Sequence, residues 1–234
     1  MALIPYFGDP MTKNNDAIFE YIQSKYFERF VRYVIDSKYR KAVHLKSWLK
    51  AQSEQPKIDV ESFSDTIHDF KNVDAQVTEI LRTIKKKVTY KTDTVLWGFM
   101  EKWQTAFETV SSMKGDCEDG AILMYIIARL HGVPANRLLL FAGTVYDPYR
   151  KKYGGHCWLG YRSKNYPLNW TFQDWCYYYD NRGCNVRNKF YIKDKKIHEY
   201  KLVGNGYRKV ASNYIEIWFG FNEEGSYTSL ANKR

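Results

Sequence analysis

Apolar residues recur at spacings of three and four through residues 16–50, where Ile18, Tyr21, Ile22, Tyr26, Phe30, Tyr33 and Val34 stand among charged neighbours. That period predicts an amphipathic helix whose stripe packs on a surface of this chain or of another. The polar, proline-containing stretch AQSEQPKIDVESFSD at 51–65 then reads as a linker or long loop. Helical spacing returns at Val77, Ile80, Leu81 and Ile84, and after VTYKTD it continues through Trp97, Met100, Trp103 and Phe107. A further helix is predicted in GDCEDGAILMYIIARLHGVP. Asp116 is its N-cap with Asp119 three residues on, and Gly132 and Pro134 stop it.

Beyond that helix the pattern changes to period two and short apolar runs: RLLLFAGTVYD, HCWLGYR, LNWTFQDW, NKFYIKD, KIHEYKLV and YIEIWFGF. These are strand signals, punctuated by DPYRKKYGG, SKNYP and NGYRK. Helices first and an antiparallel sheet afterwards is an α+β order. The division this suggests is a helical arm with its linker over residues 1–70 and a main domain over 71–234, within a chain of 234 residues.

Composition narrows the picture modestly. Hydrophobic residues at 44% and aromatics at 17% suit an ordered globular protein. The first residues lack the basic start and apolar core of a secretory signal, and no window supplies the roughly 18 apolar residues of a membrane span. A soluble protein of the cytoplasm, or of a host cytoplasm or virion if phage-encoded, is the expectation. Cysteines at 117, 157, 176 and 184 follow no CxxC spacing, which predicts free thiols and no metal centre. A net charge of +10 favours anionic partners, but the basic residues are scattered, so nucleic acid is the weaker candidate partner.

The chemistry concentrates at Cys117. It occupies the first turn of an apolar helix, where free N–H groups and the helix dipole stabilise a thiolate. Asp116, Glu118 and Asp119 repel a negative sulfur, so a cationic imidazole brought in by the fold is needed. His156 follows a glycine pair at the start of a strand, in GGHCWLGYR, and is the best placed of the five histidines. Asp174 is the candidate carboxylate for orienting that imidazole.

The run WQTAFETVSSMKGDCEDGAILMYIIARLHGVP, then GGHCWLGYR, then NWTFQDW, resembles the transglutaminase-like superfamily, nearest to its bacterial and phage cysteine-peptidase-like branch. The resemblance covers about residues 74–180. It implies a papain-like α+β core, with the Cys-bearing helix packed on an antiparallel sheet and the helical extension in front of it. It further implies that Cys117 is the nucleophile, His156 the base and acid, and Asp174 the orienting carboxylate. Asn169 and Asp180 are alternatives for that last role, and Asp174 is preferred because Trp170 precedes it by four. The Cys117 N–H would serve the oxyanion, with Trp103 or Gln104 lining the site. Acyl transfer on an amide through a thioester follows, with a protein or peptide as substrate, no cofactor, and water or an amine as acceptor. The rival expectation is an idle or structural member of the same fold, such as a phage virion component that docks through helix 16–50.

Overall fold

The computed structural model describes residues 40–54, 56–98, 102–163, 169–176, 188–193 and 196–228. The helical part comprises α1 (Arg40–Glu54), α2 (Ile58–Asp65), α3 (Val73–Lys87), α4 (Asp93–Trp97), α5 (Ala106–Ser112) and α6 (Cys117–Leu130). Two short parallel strands interrupt it, β1 (Thr89–Tyr90) and β2 (Lys114–Gly115). The sheet part runs β3 (Leu138–Asp147), β4 (Lys152–Tyr161), β5 (Thr171–Gln173), β6 (Lys189–Lys193), β7 (Lys196–Val203), β8 (Gly206–Val210), β9 (Tyr214–Phe221) and β10 (Ser226–Thr228). The α+β order and the antiparallel main sheet agree with the sequence reading. Among the described residues no helix is long and apolar enough to cross a membrane.

The centre is α6, whose residues from Glu118 to Ala128 are all buried. It is sheathed by α1 through Leu45, Trp48 and Leu49, by α2 through Val60 and Phe63, by α3 through Val77, Ile80, Leu81 and Ile84, and by the sheet through Leu138, Leu140, Cys157, Leu159, Phe219 and Phe221. Residues 51–65, expected as a linker, instead supply the end of α1 and all of α2. Their apolar positions share the α6 core, so the described part of the expected arm is built into the main domain. The stripe from Ile18 to Val34 lies outside the described residues.

Helical spacing from Trp97 to Phe107 does not give one helix. Gly98 adopts a left-handed φ of 73° and ends α4, a conformation that glycine takes without a Cβ clash. α5 then starts afresh at Thr105, where the Thr105 hydroxyl accepts the Glu108 N–H at 3.2 Å and the Glu108 carboxylate accepts the Thr105 N–H at 2.7 Å. At the far end of α6, His131 follows the last turn. Its Nδ1 meets Asp69 at 2.6 Å and its Nε2 meets Ser64 at 3.1 Å, tying α2 to the helix end.

The strand order is β5–β4–β3–β9–β7–β6, with β10 on β9 and β8 on β7. An antiparallel bridge between Trp170 and Phe190 joins the two ends of that path, so the sheet closes on itself. Its interior holds Leu139, Phe141, Val145, Trp158, Phe172, Phe190, Ile197, Tyr214 and Ile217. Closure satisfies strand edges that an open sheet would leave unpaired. The segment NGYRK, read as punctuation, contains most of β8. Its side chains are exposed, so no apolar alternation announces it.

Candidate functional site

Cys117 opens α6 and is partly exposed. The turn before it is held by Asp119, a carboxylate with no exposed surface. It accepts the Asp116 N–H at 3.1 Å, the Gln104 N–H at 2.7 Å and the Gln104 side-chain amide. This is the reciprocal N-terminal box that Asp116 and Asp119 predicted, enlarged by Gln104. Burial, followed by the nearby Asp116 and Asp93, raises the Asp119 pKa well above the ordinary carboxylate value. Burial likewise lifts Asp93 to about 6, although its carboxylate accepts the Lys102 N–H. The Cys117 thiol donates to Glu118 Oε2 at 3.1 Å.

The histidine comes from β4, where His156 pairs with Gly143 across the β3–β4 ladder. His156 is buried, stacks on Trp158 at 5.9 Å between ring centroids, and sets Nε2 2.7 Å from Asp174 Oδ2. Asp174 follows β5 and is fully buried. The same Oδ2 accepts the Tyr214 hydroxyl at 2.7 Å, and Oδ1 accepts the Cys176 N–H at 3.3 Å. Nε2 is thereby committed to the carboxylate, which fixes the orientation of the ring. Close backbone approach is found on the neighbouring strand β3, at Gly143. A Cβ on Gly143 would lie 2.1 Å from the Glu216 carbonyl oxygen, whereas Gly154 has open space around it.

Trp175 couples the two halves. Its indole N–H lies 3.1 Å from the Asp116 carbonyl and 3.2 Å from that of Cys117, so the residue after Asp174 grips the start of α6. That contact requires Gly120, because a Cβ there would sit 2.1 Å from the indole nitrogen. Tyr90 packs against Trp175 at 5.9 Å between ring centroids with the planes tilted by 46°, and stays half-exposed, and its strand β1 pairs with β2 just ahead of Cys117. Burial, then the neighbouring Cys117, Cys176, Asp116 and Glu118, raises the Tyr90 hydroxyl pKa. Cys176 is also raised, by burial first and Asp174 next.

The structure therefore brings Asp174, and not Asn169, to His156; Asp180 lies outside the described residues. Trp103 is turned into the core, stacked on Phe219 and Phe221 at 6.4 and 6.0 Å. Gln104 has no exposed surface, and its amide faces Asp119 and the Lys114 carbonyl. The box at Asp119 thus engages the Gln104 donors at the start of the helix. Tyr214, Trp175 and Tyr90 were not singled out from the sequence. Trp175 sits inside the quoted NWTFQDW, but nothing local marks Tyr214 or Tyr90 as neighbours of the site.

Cys117, Cys157 and Cys176 are free thiols, and Cys184 lies outside the described residues. Three groups of potential ligand atoms lie within 4.8 Å of one another: His156, Asp174 and Cys176; Asp116, Cys117 and Glu118; and Asp93, Asp116 and Asp119. Hydrogen bonds within the protein already engage members of each group.

The transglutaminase-like superfamily profile matches residues 61–175. No curated protein matches the sequence significantly. Among solved structures, calcium-bound LapG of Legionella pneumophila is similar at 18% identity and a TM-score of 0.45, over 88% of this chain and 88% of that one. EGTA-treated LapG gives 16% and 0.45, over 88% and 87%. A proposed cysteine protease of Cytophaga hutchinsonii gives 18% and 0.39, over 70% of this chain and 42% of that one. The matched segment holds Cys117, His156 and Asp174 together, and over that segment the chain is similar to the transglutaminase-like superfamily.

Proposed function

We propose that this protein is a cysteine-dependent acyl-transfer enzyme of the peptidase type, acting on amide bonds of a protein or peptide. The observation that carries the reading is the join between Asp174 and Cys117. His156 is fixed on Asp174 through Nε2, and the adjacent Trp175 binds the first carbonyls of the Cys117 helix. In this scheme His156 Nδ1 takes the Cys117 proton, and the thiolate attacks the amide carbonyl. The Cys117 backbone N–H donates to the oxyanion. His156 then passes its proton to the leaving amine, and water or a second amine resolves the thioester. Asp174, held by Tyr214, keeps the imidazole in the tautomer this requires.

Tyr90, half-exposed beside the nucleophile, forms the wall on which a substrate side chain rests. The test is hydrolysis of quenched peptides and incorporation of a fluorescent primary amine into casein, with wild type and Cys117→Ala. Activity in either assay should fall by at least about a thousandfold in the variant. Equal turnover by the two proteins would sink the proposal.

A further inference from the structure

The end of the sheet away from α6 carries a face that the proposed chemistry does not use. Registers place Tyr191 opposite His198, Lys193 opposite Lys196, Tyr200 opposite both Lys189 and Lys209, and Leu202 opposite Tyr207. Paired residues share a face and alternate with the next pair. Phe190, Ile192 and Ile197 point into the closed sheet, and Glu199 on that same side is buried and bonded to Asn188. Tyr191, Lys193, Lys196, His198, Tyr200, Leu202, Tyr207 and Lys209 therefore point outwards.

The aromatics on this outer face form a diagonal. Tyr191 on β6, Tyr200 on β7 and Tyr207 on β8 advance one strand and two residues at each step, a spacing of about 8 Å from standard strand dimensions. Tyr191 and Tyr207 are 45% and 40% exposed, so each ring offers surface to a ligand. Lys193, Lys196 and Lys209 flank the diagonal and are exposed. Lys189 is not part of that charge, since it is buried. The described carboxylates near the face are Glu216, opposite Lys196 and bonded to Thr144 on β3 at 2.9 Å, and Asp74, which lies near the buried Lys189 and accepts the Tyr161 and Ser163 hydroxyls. Over the described residues of 188–210 the basic side chains are Lys189, Lys193, Lys196, Lys201, Arg208 and Lys209, against the single carboxylate of Glu199.

We propose that this face binds single-stranded nucleic acid, with unpaired bases stacked on Tyr191, Tyr200 and Tyr207 and phosphates on Lys193, Lys196 and Lys209. Rings interleaved with cations on a sheet supply both elements that such ligands need: planar surfaces for bases and positive charge for the backbone. An acidic peptide would use the charge and leave the rings idle. A duplex would hide its bases from them.

The experiment is fluorescence anisotropy of a labelled 15-nucleotide oligothymidylate with the full chain in its Cys117→Ala form, so that binding is read without turnover. Binding should weaken with salt at a log–log slope near −2, the value for about three phosphate contacts. Tyr191→Ala and Tyr207→Ala should each raise Kd by about fivefold or more. The double variant Lys193→Glu, Lys209→Glu should abolish binding, while Tyr149→Ala, in the β3–β4 turn, should leave Kd unchanged. All substituted residues are exposed, and unchanged thermal melting confirms folding. No binding, equal affinity for duplex DNA, tighter binding to polyglutamate or to phosphatidylserine vesicles, or indifference to both tyrosine variants would each overturn the proposal. The outcome is independent of whether Cys117 is a nucleophile.

Discussion

The start of α6 and the cluster drawn from β4, β9 and the end of β5 are each built round a carboxylate with no exposed surface, yet the two carboxylates live differently. Asp119 collects N–H donors from Asp116 and Gln104 and faces other acids, so burial raises its pKa without a cation to offset it. Asp174 is shared between an imidazole and a phenol, partners that orient a ring and hold its proton. The difference teaches what burial of a charge is for in each place. Asp119 shapes backbone so that Cys117 begins the helix, whereas Asp174 sets the histidine that would act on it. Trp175 is the mechanical link between them.

The largest effect that separates the two regions is expected from Asp174→Asn. It preserves shape but presents the wrong group to His156 Nε2, and kcat should drop by about a hundredfold or more with melting little changed. An unchanged kcat would place Asp174 among purely structural residues. Gly120→Ala strikes the link. Alanine favours a helix interior by about 1 kcal/mol, but its methyl collides with the Trp175 indole, so the net cost should be about 2–3 kcal/mol in denaturant melts, with activity falling as well. A stabilised Gly120→Ala protein would show that Trp175 is free to move.

Tyr214→Phe removes one hydrogen bond to Asp174 while leaving His156 in place. A three- to tenfold loss in kcat, unchanged KM and about 1 kcal/mol of stability are expected. A purely packing role would instead leave kcat and its pH profile alone. The smallest effect belongs to the acidic helix start. Asp93 rises from 3.8 to about 6 on folding, so the native state holds more protons than the unfolded chain between those values. Stability therefore falls as pH rises through that window. In chelator-containing buffer at pH 7, Asp93→Asn should raise Tm by about 2–4 °C and flatten the dependence between pH 4 and 6. A lower Tm at pH 7 would mean that the charged carboxylate is satisfied in the native state.

The same contrast explains what could be read from sequence. The helix start was legible because its parts are local: Asp116 and Asp119 stand three apart, and the apolar run behind Cys117 sets the face that buries. His156 and Asp174 were legible as types in motif order, although their meeting depends on β4 and β5 lying side by side. Tyr214 was not legible, since it reaches Asp174 from a separation of 40 residues, through a strand order that no local pattern encodes. Closure of the sheet through Trp170 and Phe190 was hidden for the same reason. The supposed linker at 51–65 misled because its short helix carries only Val60 and Phe63 as buried apolar anchors, too few for a period to stand out. Gly98 and the Thr105–Glu108 box were local signals outweighed by the surrounding helical spacing.

The central claim is that Cys117 and His156 work as a pair. Its most direct test is iodoacetamide labelling of the native protein from pH 5 to 9, with the modified cysteine located by mass spectrometry, in wild type and His156→Ala. Rapid, selective labelling of Cys117 near pH 6, lost when His156 is removed, is the predicted result, because only a nearby imidazolium offsets the acids around that thiol. Labelling of Cys117 that begins only above pH 8 and is indifferent to His156 would contradict it.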